Sequence, residues 1–340
     1  MRQKENPGAL LQLHGRRDVI VMLGGAAAAW RSTAYAQPAP LIPVVGFLNP
    51  RSPNRAAAVV RAFQKGFSET GFVEGQNVAV EYRWAEDRID RLPELAADLV
   101  RREVSVIVAG ATPSARAAMA ATKSIPIVFT TAGDPVRLGL VSSLGRPTGN
   151  VTGATFFSSV LVAKQVELLH ELVPKAAAIG ILVNPKAPTT EPSVQDAQAA
   201  AKAVGKQIRV LPAGSVPEID ATFASLAQYK IDALLVAVDP LFDSRPDHVV
   251  ALAARYAVPT VYYVREFAEA GGLISYGAEL TDAYHQAGVY AGLILKGAKP
   301  ADLPVMQPTK FQLVINRKAA VALDLDIPQA ILVRADEVIE

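Results

Sequence analysis

The feature that most constrains the fold is an alternation running from residue 43 to about residue 296. Short runs rich in Val and Ile are separated by stretches whose apolar residues recur at helical spacing. The runs are Val44–Leu48, Val78–Tyr82, Val104–Ala109, Ile127–Thr130, Ile179–Val183, Ile208–Leu211, Ala233–Val238 and Thr260–Val264. They do not alternate apolar with polar, as expected of strands in a parallel sheet covered on both faces. Leu92, Leu95, Ala96, Leu99 and Val100 fall at i, i+3, i+4, i+7 and i+8, and Val59, Ala62, Phe63, Gly66 and Phe67 form a similar stripe. Repeated βα units predict a doubly wound α/β fold.

The ends of these runs share a chemistry. Asn49-Pro50, Thr112-Pro113, Asp134-Pro135, Asn184-Pro185 and Asp239-Pro240 each set a small polar residue before proline, at or just beyond a strand. Such pairs initiate turns. In an open parallel sheet they also lie at the carboxyl ends of the strands, where ligands bind. The pattern occurs twice, with strands ending near Asn49, Thr112 and Asp134 in one group and near Asn184 and Asp239 in another. The turn-rich segment Gly145–Gly153 between the groups is read as a crossing between two lobes. A further strand (Leu273–Tyr276), a helix (Thr281–Lys296) and the proline-punctuated stretch Lys299–Pro308 suit further crossings. Two lobes joined in this way can hinge, and their natural site is the cleft between them.

With 340 residues, 51% of them hydrophobic and 19% charged, the chain can bury a sizeable core. It has no cysteine, so disulfide scaffolds, thiolate nucleophiles and iron–sulfur ligation are excluded. The formal charge of +2 is concentrated at the N-terminus: Arg2, Lys4, Arg16, Arg17 and Arg31 outnumber Glu5 and Asp18 by three within residues 1–36, so the remainder carries −1. A near-neutral body has no electrostatic footprint for nucleic acid.

Residues 1–36 read as an export signal. Arg16-Arg17 precede the apolar run Val19–Trp30, whose twelve residues fall short of the roughly 20 that span a bilayer. Ala34-Tyr35-Ala36 then supplies a small-x-small cleavage site, so cleavage is expected after Ala36 and the mature protein in the periplasm. The arginine pair before a weakly apolar, Gly- and Ala-rich segment resembles a twin-arginine signal, with the general secretion route as the alternative.

Catalytic motifs are missing. His170, His248 and His285 stand far apart in helical stretches, and His170-Glu171 lacks the second histidine of a zinc-protease motif. The sequence has no G-x-S-x-G elbow, Walker A run or G-x-G-x-x-G. No enzymatic activity, cofactor or metal is expected.

Several segments resemble one known family. They include Val45-Gly46-Phe47-Leu48-Asn49, Gly71-Phe72-Val73-Glu74-Gly75-Gln76-Asn77-Val78, Gly133-Asp134-Pro135-Val136, Gly149-Asn150-Val151-Thr152-Gly153 and Lys164-Gln165-Val166-Glu167-Leu168-Leu169. Arg265–Leu273 and Pro304–Phe311 add to them. Together they look like the ABC transporter substrate-binding proteins, in the family that includes tryptophan- and phenylalanine-binding members. The resemblance implies a type I periplasmic binding protein: two doubly wound, Rossmann-like lobes joined by a three-crossover hinge. It places 43–153 with 273–304 in lobe 1, and 154–272 with 305–340 in lobe 2. It also implies a solute receptor, acting as a monomer, that hands its ligand to an ABC permease and ATPase in the inner membrane. Two alternatives are a ligand-sensing periplasmic partner of a receptor and, lacking any activated nucleophile, a secreted hydrolase.

The expected ligand is a small zwitterionic or carboxylated metabolite, amino-acid-like, held in the interlobe cleft. Thr112, Pro113 and Ser114 begin a helix directly after a strand, where free N–H groups suit a carboxylate. Asp134 and Asp239, expected to face each other from opposite lobes, suit an ammonium. Asn49 and Asn184 would add neutral hydrogen bonds, and Phe242, Tyr263 and Tyr276 would stack on an apolar portion. Glu266, in the Arg265–Leu273 motif, completes the candidate set.

Overall fold

The computed structural model describes residues 42–156 and 159–340. The expected export signal and its expected cleavage site after Ala36 lie outside the described residues. The first sheet contains β1 (Val44–Asn49), β2 (Ala79–Trp84), β3 (Val106–Ala109), β4 (Ile127–Thr131) and β5 (Val151–Thr155). Their spatial order is β2-β1-β3-β4-β5 and every pairing is parallel. Val45, Phe47 and Leu48 of β1 are all fully buried, which is why its sequence shows no polar face. Phe47 packs against Phe63 of α1 (Ala57–Glu69) at 5.2 Å between ring centroids, on the side opposite α2 (Leu92–Arg101) and α3 (Ala111–Ala121).

The second sheet contains β6 (Ala178–Val183), β7 (Gln207–Pro212), β8 (Ala233–Val236), β9 (Thr260–Tyr262), β10 (Ile274–Gly277), β11 (Gln312–Asn316) and β12 (Glu337–Ile339). Its order is β12-β11-β10-β9-β8-β6-β7, parallel except between β10 and β11. The helices that follow α3 are α4 (Ser159–Leu172), α5 (Thr190–Ala203), α6 (Val216–Ala224), α7 (Pro240–Asp243), α8 (Pro246–Arg255), α9 (Arg265–Glu269), α10 (Leu280–Leu295), α11 (Arg317–Ala322) and α12 (Gln329–Arg334).

The chain passes between the sheets three times: after β5, between β10 and α10, and between Met306 and β11. This is the expected three-crossover α/β architecture, with two differences in where the crossings fall. The strand Leu273–Tyr276, expected in lobe 1, belongs to the second sheet, where Ile274 and Ser275 continue the ladder beside Val261 and Tyr262. Only α10 and the stretch to Met306 return to the first sheet. The segment Gly145–Gly153 was expected to be a crossing in itself, but its last three residues open β5, which pairs with β4 from Val151 to Thr155. The crossing comes after that strand.

Helix α10 lies directly on α1, and two glycines permit the approach. A Cβ at Gly66 would sit 2.0 Å from the His285 carbonyl oxygen, and one at Gly288 would sit 2.1 Å from that of Phe63. Among the described residues, no helix is long and apolar enough to cross a membrane.

Candidate ligand-binding cleft

The strand orders locate the site. In the first sheet β1 has β2 on one side and β3 on the other; in the second, β6 likewise stands between β7 and β8. Chain connections diverge at those points and leave a crevice beyond the strands' carboxyl ends. Asn49 and the Gly110–Thr112 turn lie at the first crevice, Asn184 and Asp239 at the second.

The two lobes use the same local device. Asn49 Oδ1 accepts the N–H of Arg51 at 3.0 Å, and Asn184 Oδ1 accepts the N–H of Lys186 at 3.1 Å. Each asparagine thus closes a turn over its own proline. Its amide nitrogen is then free to reach across its lobe: Asn49 Nδ2 donates to the Tyr284 hydroxyl at 3.0 Å, and Asn184 Nδ2 donates to Asp239 Oδ1 at 3.1 Å. Gly110 is required beside the first pair, since a Cβ there would fall 2.4 Å from Asn49 Nδ2 and 2.5 Å from the Tyr284 hydroxyl oxygen.

Asp239 is the N-cap of α7 and accepts the N–H of Leu241 at 2.9 Å through the Oδ1 that also meets Asn184. Its residue is 1% exposed, and Oδ2 has no hydrogen-bond partner among the described residues. Burial pushes this carboxyl up to about 7, against the opposing effect of the Asn184 and Leu241 donors; the carboxylates of Asp243 and Asp87 push the same way as burial.

Arg51 faces it from the other lobe. Its guanidinium meets Asp243 at 2.5 Å, with both side chains 7% exposed. Burial, the largest single effect, would lower the Arg51 pKa, but the adjacent Asp243 carboxylate with Tyr284 and Tyr263 together hold the group above its ordinary value. Asp243 also accepts the Tyr263 hydroxyl. Outside this pair, Asp87 meets Arg245 at 3.0 Å and Arg137 meets Asp196 at 2.8 Å, both linking residues of the first-sheet lobe to residues of the second.

Arg51, Thr112, Pro113, Asp239, Asp243 and Tyr284 line one space between the lobes, with Phe156, Pro188 and Thr189 around them. It has a volume of about 20 Å³, room for about one water. A larger hollow of about 580 Å³ lies over α1 against Phe63, Phe67 and Phe72. Its carboxylate, Glu74, is occupied by Gln64 and Tyr82, so it lacks the convergent free polar groups of a specific site.

The cleft therefore brings together Thr112, Pro113 and Asp239 directly, with Asn49, Asn184 and Tyr263 one contact behind them. Other expected residues stand elsewhere. Asp134 is exposed and accepts the N–H groups of Val136 and Arg137 in its own turn, so it does not face Asp239. Ser114 is fully buried in α3 and Phe242 in the core of the second lobe, neither lining the cleft. Tyr276 lies against Phe311 at 6.3 Å. Glu266 borders a separate hollow of about 130 Å³ with Gly277 and Gln312. Sequence reasoning missed Arg51, Asp243 and Tyr284. The first follows Asn49-Pro50 and the second closes the helix that Asp239 caps, so the flanks of the two Asx-Pro signals held both; Tyr284 carried no local signal.

Comparison with known proteins bears on the fold and the family. The family model described as ABC transporter substrate binding protein matches residues 45–339. A tyrosine-binding protein of Clostridioides difficile (strain R20291) is 30% identical over 265 residues, covering 78% of this chain and 76% of that protein. An ABC domain from Streptococcus pneumonia, solved in complex with L-Trp, is 29% identical with a TM-score of 0.80, covering 87% of this chain and 99% of that one. A ligand-free, open substrate-binding protein with adhesive properties from Clostridium difficile is 28% identical with a TM-score of 0.63, covering 88% and 99%.

Proposed function

Since this chain belongs to the ABC transporter substrate-binding family, we propose that it captures a small amino-acid-like solute between its lobes and delivers it to an ABC permease and ATPase. The observation that carries this reading is Asp239. A carboxyl group buried at a switch point, with one oxygen unpartnered, is costly for folding and suited to a cation brought by a ligand. The amino-acid ligands named for the relatives each carry an ammonium group.

The closed cleft supports capture by hinging. At nearly equal identity, the chain superposes better on the L-Trp complex than on the ligand-free, open structure. Three ion pairs between the lobes hold this arrangement, and a solute that bridges both lobes selects it from the open form.

The same reading places the mature protein in the periplasm, exported through Arg16-Arg17, cleaved after Ala36 and acting as a monomer. Binding without turnover is part of the same reading, supported by a family of solute-binding receptors rather than enzymes. The test is a thermal-shift panel of the twenty amino acids alongside sugars and organic acids. The reading predicts upward shifts confined to amino acids, with the ligand recovered unchanged. A panel in which only sugars or organic acids shift the protein contradicts it.

A further inference from the structure

The geometry points to Arg51 as the group that receives the ligand's carboxylate, with Asp243 as the partner it surrenders when a solute enters. This assignment rests on the amino-acid reading above and narrows it to zwitterions with both charges close together. Arg51 stands on the first lobe and Asp243 on the second, both nearly fully buried and both lining the same small space. Because that space holds about one water, any solute of amino-acid size comes between them and breaks their contact.

The two partners are not equally provided for once separated. Asp243 keeps the Tyr263 hydroxyl. Arg51 loses the one carboxylate that hydrogen-bonds to it, and the next acid of its own lobe, Asp87, is already engaged by Arg245 and Arg55. A buried guanidinium without a counter-charge is strongly unfavourable, so a solute that closes the cleft has to supply an anion there. The N-terminal turn of α3, carrying Thr112 and Pro113 on the same space, adds the favourable end of a helix dipole for that anion. Asp239 and Asp243 stand on the same space, so a zwitterion gives each side a partner, its carboxylate meeting Arg51 and its ammonium the acids. A solute with only an amine satisfies the acids and leaves Arg51 bare.

The experiment compares carboxylate-bearing and carboxylate-free partners of one side chain: L-tryptophan against tryptamine and L-tyrosine against tyramine, by calorimetry. On the parent protein the amino acid is expected to bind roughly 100-fold more tightly than its amine, as a bidentate charge-assisted contact allows. Arg51→Met is expected to abolish most of that ratio by weakening amino-acid binding, with the amine binding no more weakly than it does to the parent. If Arg51→Met weakens acid and amine by the same factor, Arg51 only clasps the lobes and the assignment is wrong. Asp243→Asn supplies a second reading if Arg51→Met does not fold: the ratio is expected to stay at or above that of the parent, and a collapsed ratio overturns the assignment. Binding of both members of a pair with no ratio on the parent overturns it while leaving the amino-acid-like reading intact. Binding of neither member of either pair, in a protein whose panel responds only to other solute classes, overturns both.

Discussion

Asn184 and Asp239 meet at 3.1 Å at the switch point of the second sheet, and the contact satisfies only one of the two carboxylate oxygens. Burial holds the carboxyl at about 7, well above the 3.8 of an unperturbed aspartate, although the Asn184 and Leu241 donors oppose it. A raised carboxyl favours its protonated form in the fold, so its contribution is fully present below about pH 4 and is lost as pH rises through about 7. An Asp239→Asn variant is therefore expected to gain stability over the parent above pH 7, of order 2 kcal/mol, and to gain less than half as much at pH 5. Urea denaturation at the two pH values checks both the size and the direction.

The same group ties ligand capture to pH. An ammonium placed beside Asp239 favours the ionised carboxylate, so binding below pH 7 releases a proton. Affinity for an amino acid is expected to rise with pH up to about 7 and to level off above it. Calorimetry at pH 6 in buffers of different ionisation enthalpy reads the proton release directly; buffer-independent heats contradict it.

Gly110 lets Asn49 and Tyr284 close over the turn between β3 and α3. A methyl group would fall within 2.5 Å of both side chains. Gly110→Ala is expected to cost about 1–3 kcal/mol in denaturant unfolding, because both partners are buried and packed. It is also expected to weaken ligand binding by displacing Tyr284 from the cleft wall.

Helix α10 is docked on α1 through backbone contact at Gly66 and Gly288. Because the colliding atom in each case is a carbonyl oxygen, neither neighbour can turn aside as a side chain would. Gly288→Ala is expected to destabilise by about 2 kcal/mol or more, and Gly297→Ala, with open space around its Cβ, by about 1 kcal/mol from its positive φ alone. Thermal unfolding of the pair separates close packing from backbone conformation.

The sequence made the parallel core legible because burial on both faces leaves runs without alternating polar residues, as in β1, β3 and β6. It hid β5, whose Val151-Thr152-Gly153-Ala154-Thr155 is small and follows a turn-rich segment. Gly153 is needed there, since a Cβ would lie 2.1 Å from the Phe129 carbonyl oxygen. It also hid the place of β10, because nothing local distinguishes a strand that extends the second sheet from one that returns to the first. In the cleft, Asx-Pro pairs marked strand ends reliably, which is how Asn49, Asn184 and Asp239 were found. They did not mark orientation: Asp134 turns its carboxylate into its own loop, while Asp239 points into the space between lobes. Tyr284 reaches the cleft from a helix 235 residues beyond its partner Asn49, a distance no local pattern encodes.

The most direct test of a cleft that closes on an amino acid is calorimetric titration of the parent, Asp239→Ala and Asp134→Ala with the amino acid giving the largest thermal shift. Asp239→Ala is expected to weaken binding by about 2 kcal/mol or more, roughly 30-fold, because a buried cation loses its partner. Asp134→Ala, altering an exposed carboxylate outside the cleft, is expected to bind as the parent does. Parent-like affinity in Asp239→Ala contradicts the account.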